Sequence, residues 1–223
     1  MIMNTNRDNL IAGLTEELAP VRSFNQRDGM AIVAVAAALT LVGVFAIEGL
    51  WFGAFQGEAA PFFWVTNGLL LLLGLASAGA VVAMASPGVG NSHDAPKWSF
   101  AMLLVLPLAA MMSVLSHGGE TAALNDPFAL HCFTASLIAS TGIGGALTLW
   151  LRRGAPVSHE AAGWFTGIAA GAMGTLLYGL SCPADSVTHL DIWHVVPVAV
   201  AAMAGRLIVP KLPREQRAKC QGE

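Results

Sequence analysis

Long uncharged apolar runs alternate with short polar connections along this chain, covering residues 29–47, 59–92, 98–119, 127–151, 161–184 and 192–209. As a helix, each of the first five can cross the ~30 Å hydrocarbon layer of a bilayer, which takes about 20 residues. The sixth carries His194 near one end and Arg206 near the other, so it spans if Arg206 reaches back to the interface. The pattern predicts an all-α fold: a polytopic membrane protein built as a bundle of six transmembrane helices. The first run follows a polar stretch of 28 residues that includes Asp8, Glu16, Glu17 and Asp28. This is unlike a short basic leader with a nearby cleavage site, so no signal peptide is expected. Within that stretch Leu10, Ile11, Leu14 and Leu18 fall on one stripe of a short amphipathic helix that Asn6 can cap and Pro20 ends. A helix of about twelve residues is marginal alone in water and needs a surface for its stripe. The membrane, the underside of the bundle and a soluble protein partner are the candidates, and the acidic flank at Glu16 and Glu17 suits a basic protein better than anionic lipid.

Composition sharpens the class. With 55% hydrophobic and 11% charged residues, the chain holds more apolar surface than one small water-soluble core can hide. The placement of charge then orients the helices. With six spans and the N-terminus inside, Arg7, Arg22, Arg27, Lys97, Arg152, Arg153, Arg206, Lys211, Arg214, Arg217 and Lys219 all fall on one side, and these are all 11 basic residues. The opposite connections hold Glu58, Glu120, Asp126, Asp185 and Asp191. This bias places the basic side in the cytoplasm and both termini with it. Five spans would break the pattern. Gly163, Gly167 and Gly171, spaced by four, predict a small face for close helix packing within the bundle, with dimerisation as the alternative. Pro107 and Pro197 predict kinks.

Candidate chemistry gathers on the non-cytoplasmic side. His117, Glu120, Asp126, His131 and Cys132 flank one connection there, and Cys182, Asp185, His189, Asp191 and His194 flank the next. Asp126 as N-cap and Pro127 at the first position would start the fourth span, which puts Cys132 about one turn in. Cys182 would close the fifth, just before Pro183. The two sulfurs should then share a depth, facing an oxidising compartment if that side is a periplasm. Two readings stay open: a disulfide, and a soft-metal site in which His131, His189, Asp191 and His194 are further candidate ligands. His131 and Cys132 are adjacent and point about 100° apart on a helix, so they do not easily share one ion. Asp191 and His194 share a helix face, as a carboxylate orienting an imidazole would. No catalytic constellation is evident. Haem ligation by His131 and His194 is the rival class, and transport is weaker still because mid-span positions offer little beyond Thr and Ser, with Asn67 nearer an end.

The stretches LIAGLTEELAPVRSF, HCF and SCPADSVTHLDIWH, together with the six apolar runs, resemble the NrsF family of negative regulators of sigma F. The resemblance covers nearly the whole chain and implies an anti-sigma factor rather than an enzyme. Such a protein holds an extracytoplasmic-function sigma factor at the inner membrane, with the bilayer as its other partner and no direct contact with nucleic acid. It implies that residues 1–28 form a cytoplasmic sigma-binding segment, with Leu10, Ile11, Leu14 and Leu18 as contacts. Residues 29–209 would be a sensor domain and 210–223 a cytoplasmic tail. The family's paired outer cysteines, implicated in sensing heavy metals or oxidants, fall on Cys132 and Cys182. No cofactor is required, and Cu, Zn or another soft metal would act as signal.

Overall fold

The computed structural model describes residues 25–86 and 126–212, and isolated positions at 9, 12, 13, 101, 105, 108, 111, 112 and 115. Among the described residues the chain is helical, with no strand. The helices are α1 (Gln26–Glu48), α2 (Pro61–Met84), α3 (Ala129–Arg153), α4 (His159–Gly179), α5 (Val187–Trp193) and α6 (Val196–Ile208). Short 3-10 turns at Phe52–Gln56 and Val209–Lys211 complete the described elements.

Four stretches among the described residues are long and apolar enough to cross a membrane: Gln26–Glu48, Pro61–Met84, Ala129–Arg153 and Val187–Lys211. Six were expected, and the two differences have separate reasons. The run at 98–119 lies outside the described residues but for a few positions. The run at 161–184 does form a helix, α4, but five glycines and two threonines dilute its apolarity. It needs no greasy exterior, because most of its length is buried between α6, α3 and α2. α1 is the converse case. Only Gly29 and Val33 are buried, while Val35, Leu39, Val42, Phe45 and Ile47 are exposed, as expected of a helix whose outer face meets an apolar solvent.

The glycine stripe is used inside the chain. Gly163, Gly167 and Gly171 lie against Gly205, Ala201 and Val198 of α6 so closely that a Cβ at Gly167 would overlap the Ala201 carbonyl. Small residues let two backbones meet in this way. Pro197 stands in the first turn of α6, where a missing N–H costs nothing. The break itself is a turn at His194 and Val195 that separates α5 from α6, so the last stretch begins at 187 rather than the expected 192.

The order of helices sorts the charges. One end of the bundle holds the starts of α1 and α4 and the ends of α2, α3 and α6, tied together by Ala155 N–H donating to the Ala85 carbonyl (3.1 Å). Arg27, Arg152, Arg153, Arg206 and Lys211 are all here. Arg152, Arg153 and Arg206 occupy last turns, where the helix dipole favours cations. Arg206 reaches Glu160 (3.6 Å) and lies over the Trp164 ring. The opposite end carries Glu48, Glu58, Asp126, Asp185 and Asp191 and, among the described residues, no Lys or Arg. There Trp51 N–H donates to the Leu180 carbonyl (3.0 Å), and Ala60 N–H donates to the Asp185 carboxylate (2.9 Å), so the tips of α1, α2 and α4 are laced together.

Candidate functional site

The acidic end contains a buried cluster of sulfur and imidazole. Cys132 lies in the first turn of α3, its N–H donating to the Phe128 carbonyl (2.9 Å). The turn before it is closed by Asp126, whose carboxylate accepts from Phe128 N–H (2.9 Å) and whose carbonyl accepts from Ala129 N–H (3.2 Å). Asp126 thus closes the turn ahead of the helix rather than capping it as expected: the N-cap is Phe128, and α3 begins two residues later than Pro127. Cys182 follows α4 in a turn held by Ser181 N–H to the Tyr178 carbonyl (2.8 Å) and Cys182 N–H to the Gly179 carbonyl (3.2 Å). Ser186 caps α5 by accepting from His189 N–H (3.3 Å), and so aims that imidazole inward.

These three local structures bring two sulfurs and two imidazoles together. The Sγ atoms of Cys132 and Cys182 are 3.4 Å apart, both thiols are free, and each residue is 1% exposed. Cys132 Sγ also meets the Tyr178 hydroxyl (3.4 Å), and Cys182 Sγ meets His189 Nε2 (3.5 Å). The other nitrogen of His189 is hydrogen-bonded to the second carboxylate oxygen of Asp126. His194, fully buried, completes the group, its ring 5.5 Å from that of His189. Neither of its ring nitrogens has a protein partner. One ligand atom from each of Cys132, Cys182, His189 and His194 falls within 4.8 Å of all the others.

Sequence reasoning named all four of these residues, and two others that the fold sends elsewhere. His131 turns outward to Glu48 (3.1 Å) and stacks edge-on against Tyr178, about half exposed. It is the adjacent-residue divergence on a helix, made visible. Asp191 is buried, but both carboxylate oxygens lack a partner, so it does not orient His194. The carboxylate that does orient an imidazole is Asp126, 63 residues from His189. Tyr178, the chain's one tyrosine, and Gly179 were missed. A Cβ at Gly179 would fall 2.8 Å from Asn67 Oδ1 and 3.2 Å from the His194 ring, so His194 rests directly on the α4 backbone. A lone tyrosine four residues before a cysteine is the signal that was available. Leu10, Ile11, Leu14 and Leu18, with His117, Glu120 and Cys220, lie outside the described residues.

The pair supports two chemistries. A disulfide needs the sulfurs at about 2.05 Å, a short closure from van der Waals contact. A soft cation needs thiolates and neutral imidazoles. Reaction of either kind at a thiol releases its proton.

Residues 14–214 match the family described as negative regulator of sigma F, NrsF. That span holds all four clustered residues and begins after Leu10 and Ile11. The chain is 29% identical over 158 residues to the anti-sigma-F factor NrsF of Caulobacter vibrioides, covering 67% of this chain and 71% of that one. It is 25% identical over 150 residues to the probable anti-sigma-F factor NrsF of Azospira oryzae, covering 66% and 70%. No solved structure matches. Since the family match runs over most of its length, this chain belongs to the NrsF family of negative regulators of sigma F.

Proposed function

We propose that this chain is a multi-pass inner-membrane anti-sigma factor that holds an extracytoplasmic-function sigma factor on its cytoplasmic side. It releases that partner when Cys132 and Cys182 react with an oxidant or a soft metal on the other side. The observation that carries the reading is the buried pair of free thiols, 3.4 Å apart, at the end opposite every described Lys and Arg. Lys and Arg favour the cytoplasmic side of spanning helices. Cys132 and Arg152 are 20 residues apart on one helix, about 30 Å at 1.5 Å per residue. That distance is enough to put the thiols and the partner on opposite faces. Residues 1–28 supply the docking segment, through Leu10, Ile11, Leu14 and Leu18, residues 29–209 the sensor, and 210–223 a cytoplasmic tail.

In the oxidative branch both thiols lose their protons, an S–S bond forms, and two electrons pass to a two-electron oxidant such as a hydroperoxide. Closing the pair draws the start of α3 toward the end of α4. The close contacts of α4 with α3 and α6 offer a stiff path for that displacement. To free most of the bound partner, the two states must differ in sigma affinity by a few kcal/mol, at about 1.4 kcal/mol per decade.

The test is transcription from a sigma-dependent promoter in cells carrying the double variant Cys132→Ser, Cys182→Ser. Repression is retained and the response to stimulus is lost; a normal response refutes the sensor. In the same cells Leu14→Glu frees the sigma factor, and continued co-purification of the two proteins refutes the docking segment.

A further inference from the structure

We infer that Cys132, Cys182, His189 and His194 form a four-coordinate site for a divalent d10 cation, Zn2+ or Cd2+, with Asp126 as the carboxylate that orients one imidazole. The inference deepens the sensor reading and uses its cysteines, but it concerns a binding property of the chain alone.

Four observations carry it. First, spacing. A tetrahedral ion with bonds of about 2.3 Å to sulfur and 2.05 Å to nitrogen separates its ligand atoms by about 3.3–3.8 Å along each edge. The Sγ atoms are 3.4 Å apart, Cys182 Sγ and His189 Nε2 are 3.5 Å apart, and no pair among the four exceeds 4.8 Å. Closing on an ion therefore takes a contraction of about 1 Å at the loosest edge. Second, His194. A fully buried imidazole with neither nitrogen satisfied is a costly arrangement, and a ring nitrogen bound to a cation removes part of that cost. Third, tautomer. Hydrogen bonding of His189 Nδ1 to Asp126 directs the lone pair of Nε2 toward the sulfurs, the usual carboxylate–histidine–metal relay. Asp126 is itself 16% exposed, so the site lies one residue below the surface. Fourth, charge. Two thiolates and two neutral imidazoles around a divalent ion make a neutral unit, which a buried setting tolerates. A monovalent ion would leave a net negative charge beside the Asp126 carboxylate.

Binding is balanced by proton release. Two thiols and two neutral imidazoles take up one divalent ion, form two metal–sulfur and two metal–nitrogen bonds, and set free two protons. Occupancy also engages both sulfurs, so the metal-bound chain resists disulfide formation. His189 and His194 thereby give the cysteine pair a second response that excludes the first.

The test uses the reduced full-length protein in detergent, titrated with Zn2+ against a chromophoric chelator in weakly buffered solution. One ion per chain and two protons per ion are expected. Cd2+ in place of Zn2+ should give ultraviolet thiolate charge-transfer absorption that a strong chelator abolishes. The double variant His189→Ala, His194→Ala should bind at least 100-fold more weakly. If it is poorly folded, Asp126→Asn keeps every ligand and should still lose 10- to 100-fold in affinity. Wild-type protein that takes up no Zn2+, or histidine and Asp126 variants that bind as tightly as wild type, overturns the site. So does equal sensitivity to a thiol oxidant with and without Zn2+. The sensor reading fails separately: binding without release of the sigma factor leaves this site standing, and oxidant-driven release without binding leaves the sensor standing.

Discussion

At the arginine-bearing end, α4 and α6 meet backbone against backbone through Gly163, Gly167 and Gly205, and the charged side chains stay at the surface. At the other end α4 is followed by a turn, and the space between the helix tips is filled by Cys132, Cys182, His189 and His194. The first end has no slack, because what faces each glycine there is main chain. The second holds buried polar groups without protein partners, His194, Asp191 and the Asn67 amide oxygen among them. Buried polar atoms are almost always paired, and exceptions tend to mark a chemical role. A bundle rigid at one end and chemically incomplete at the other suits a device that is acted on at one place and read at another.

The largest effect should come from filling the seam. Gly167→Leu sets a side chain against the Ala201 carbonyl, which cannot move aside as a flexible side chain would. Overpacking against backbone should cost more than about 3 kcal/mol, seen as loss of folded protein in detergent by thermal aggregation. Gly79, with open space where its Cβ would be, is the control, and Gly79→Ala should be neutral or slightly stabilising. At the other end, Gly179→Ala crowds Asn67 and His194. A loss of about 1–3 kcal/mol in denaturant titration is expected, together with altered reactivity of the cysteines. Equal tolerance of bulk at Gly167 and Gly179 would erase the contrast between the ends.

A smaller change should follow Tyr178→Phe, which removes the hydroxyl on Cys132 Sγ (3.4 Å). About 1 kcal/mol of stability is at stake, and alkylation of Cys132 in unfolding-free conditions should quicken. The smallest belongs to the Arg206–Glu160 pair, whose side chains are more than half exposed. Water screens it, and Glu160→Gln should leave the melting temperature unchanged. A clear drop would mean that the arginine end depends on its charges rather than on its glycines.

Much of this was legible in the sequence because it depends on neighbours along the chain. Apolar runs mark helices, 3.6-residue periodicity sends His131 and Cys132 apart, and the alternation of basic and acidic connections sorts the two ends. What escaped depends on distant encounters. Asp126 meets His189 across 63 residues, and nothing local distinguishes that carboxylate from Asp191, which sequence spacing had paired with His194. The burial of α4 escaped as well, since a helix covered by its neighbours needs less apolar surface than one that faces lipid. The glycine stripe showed a close approach but not the partner; α6 within the chain, rather than a second copy, provides it. The turn at His194 and Val195 left no mark beyond Pro197 two residues on.

The claim on which the account rests is that the thiol cluster and the arginine end face opposite sides of the membrane. Because Cys132 and Cys182 are buried, single exposed cysteines report this better than the native pair. In a background lacking Cys132, Cys182 and Cys220, an impermeant maleimide is applied to intact spheroplasts of His131→Cys and Val157→Cys variants. Position 131 lies beside the cluster and position 157 at the arginine end, and both are exposed. Labelling of position 131 in intact spheroplasts, and of position 157 only after permeabilisation, is the result the account predicts. The reverse pattern, or labelling of both from one side, would contradict it.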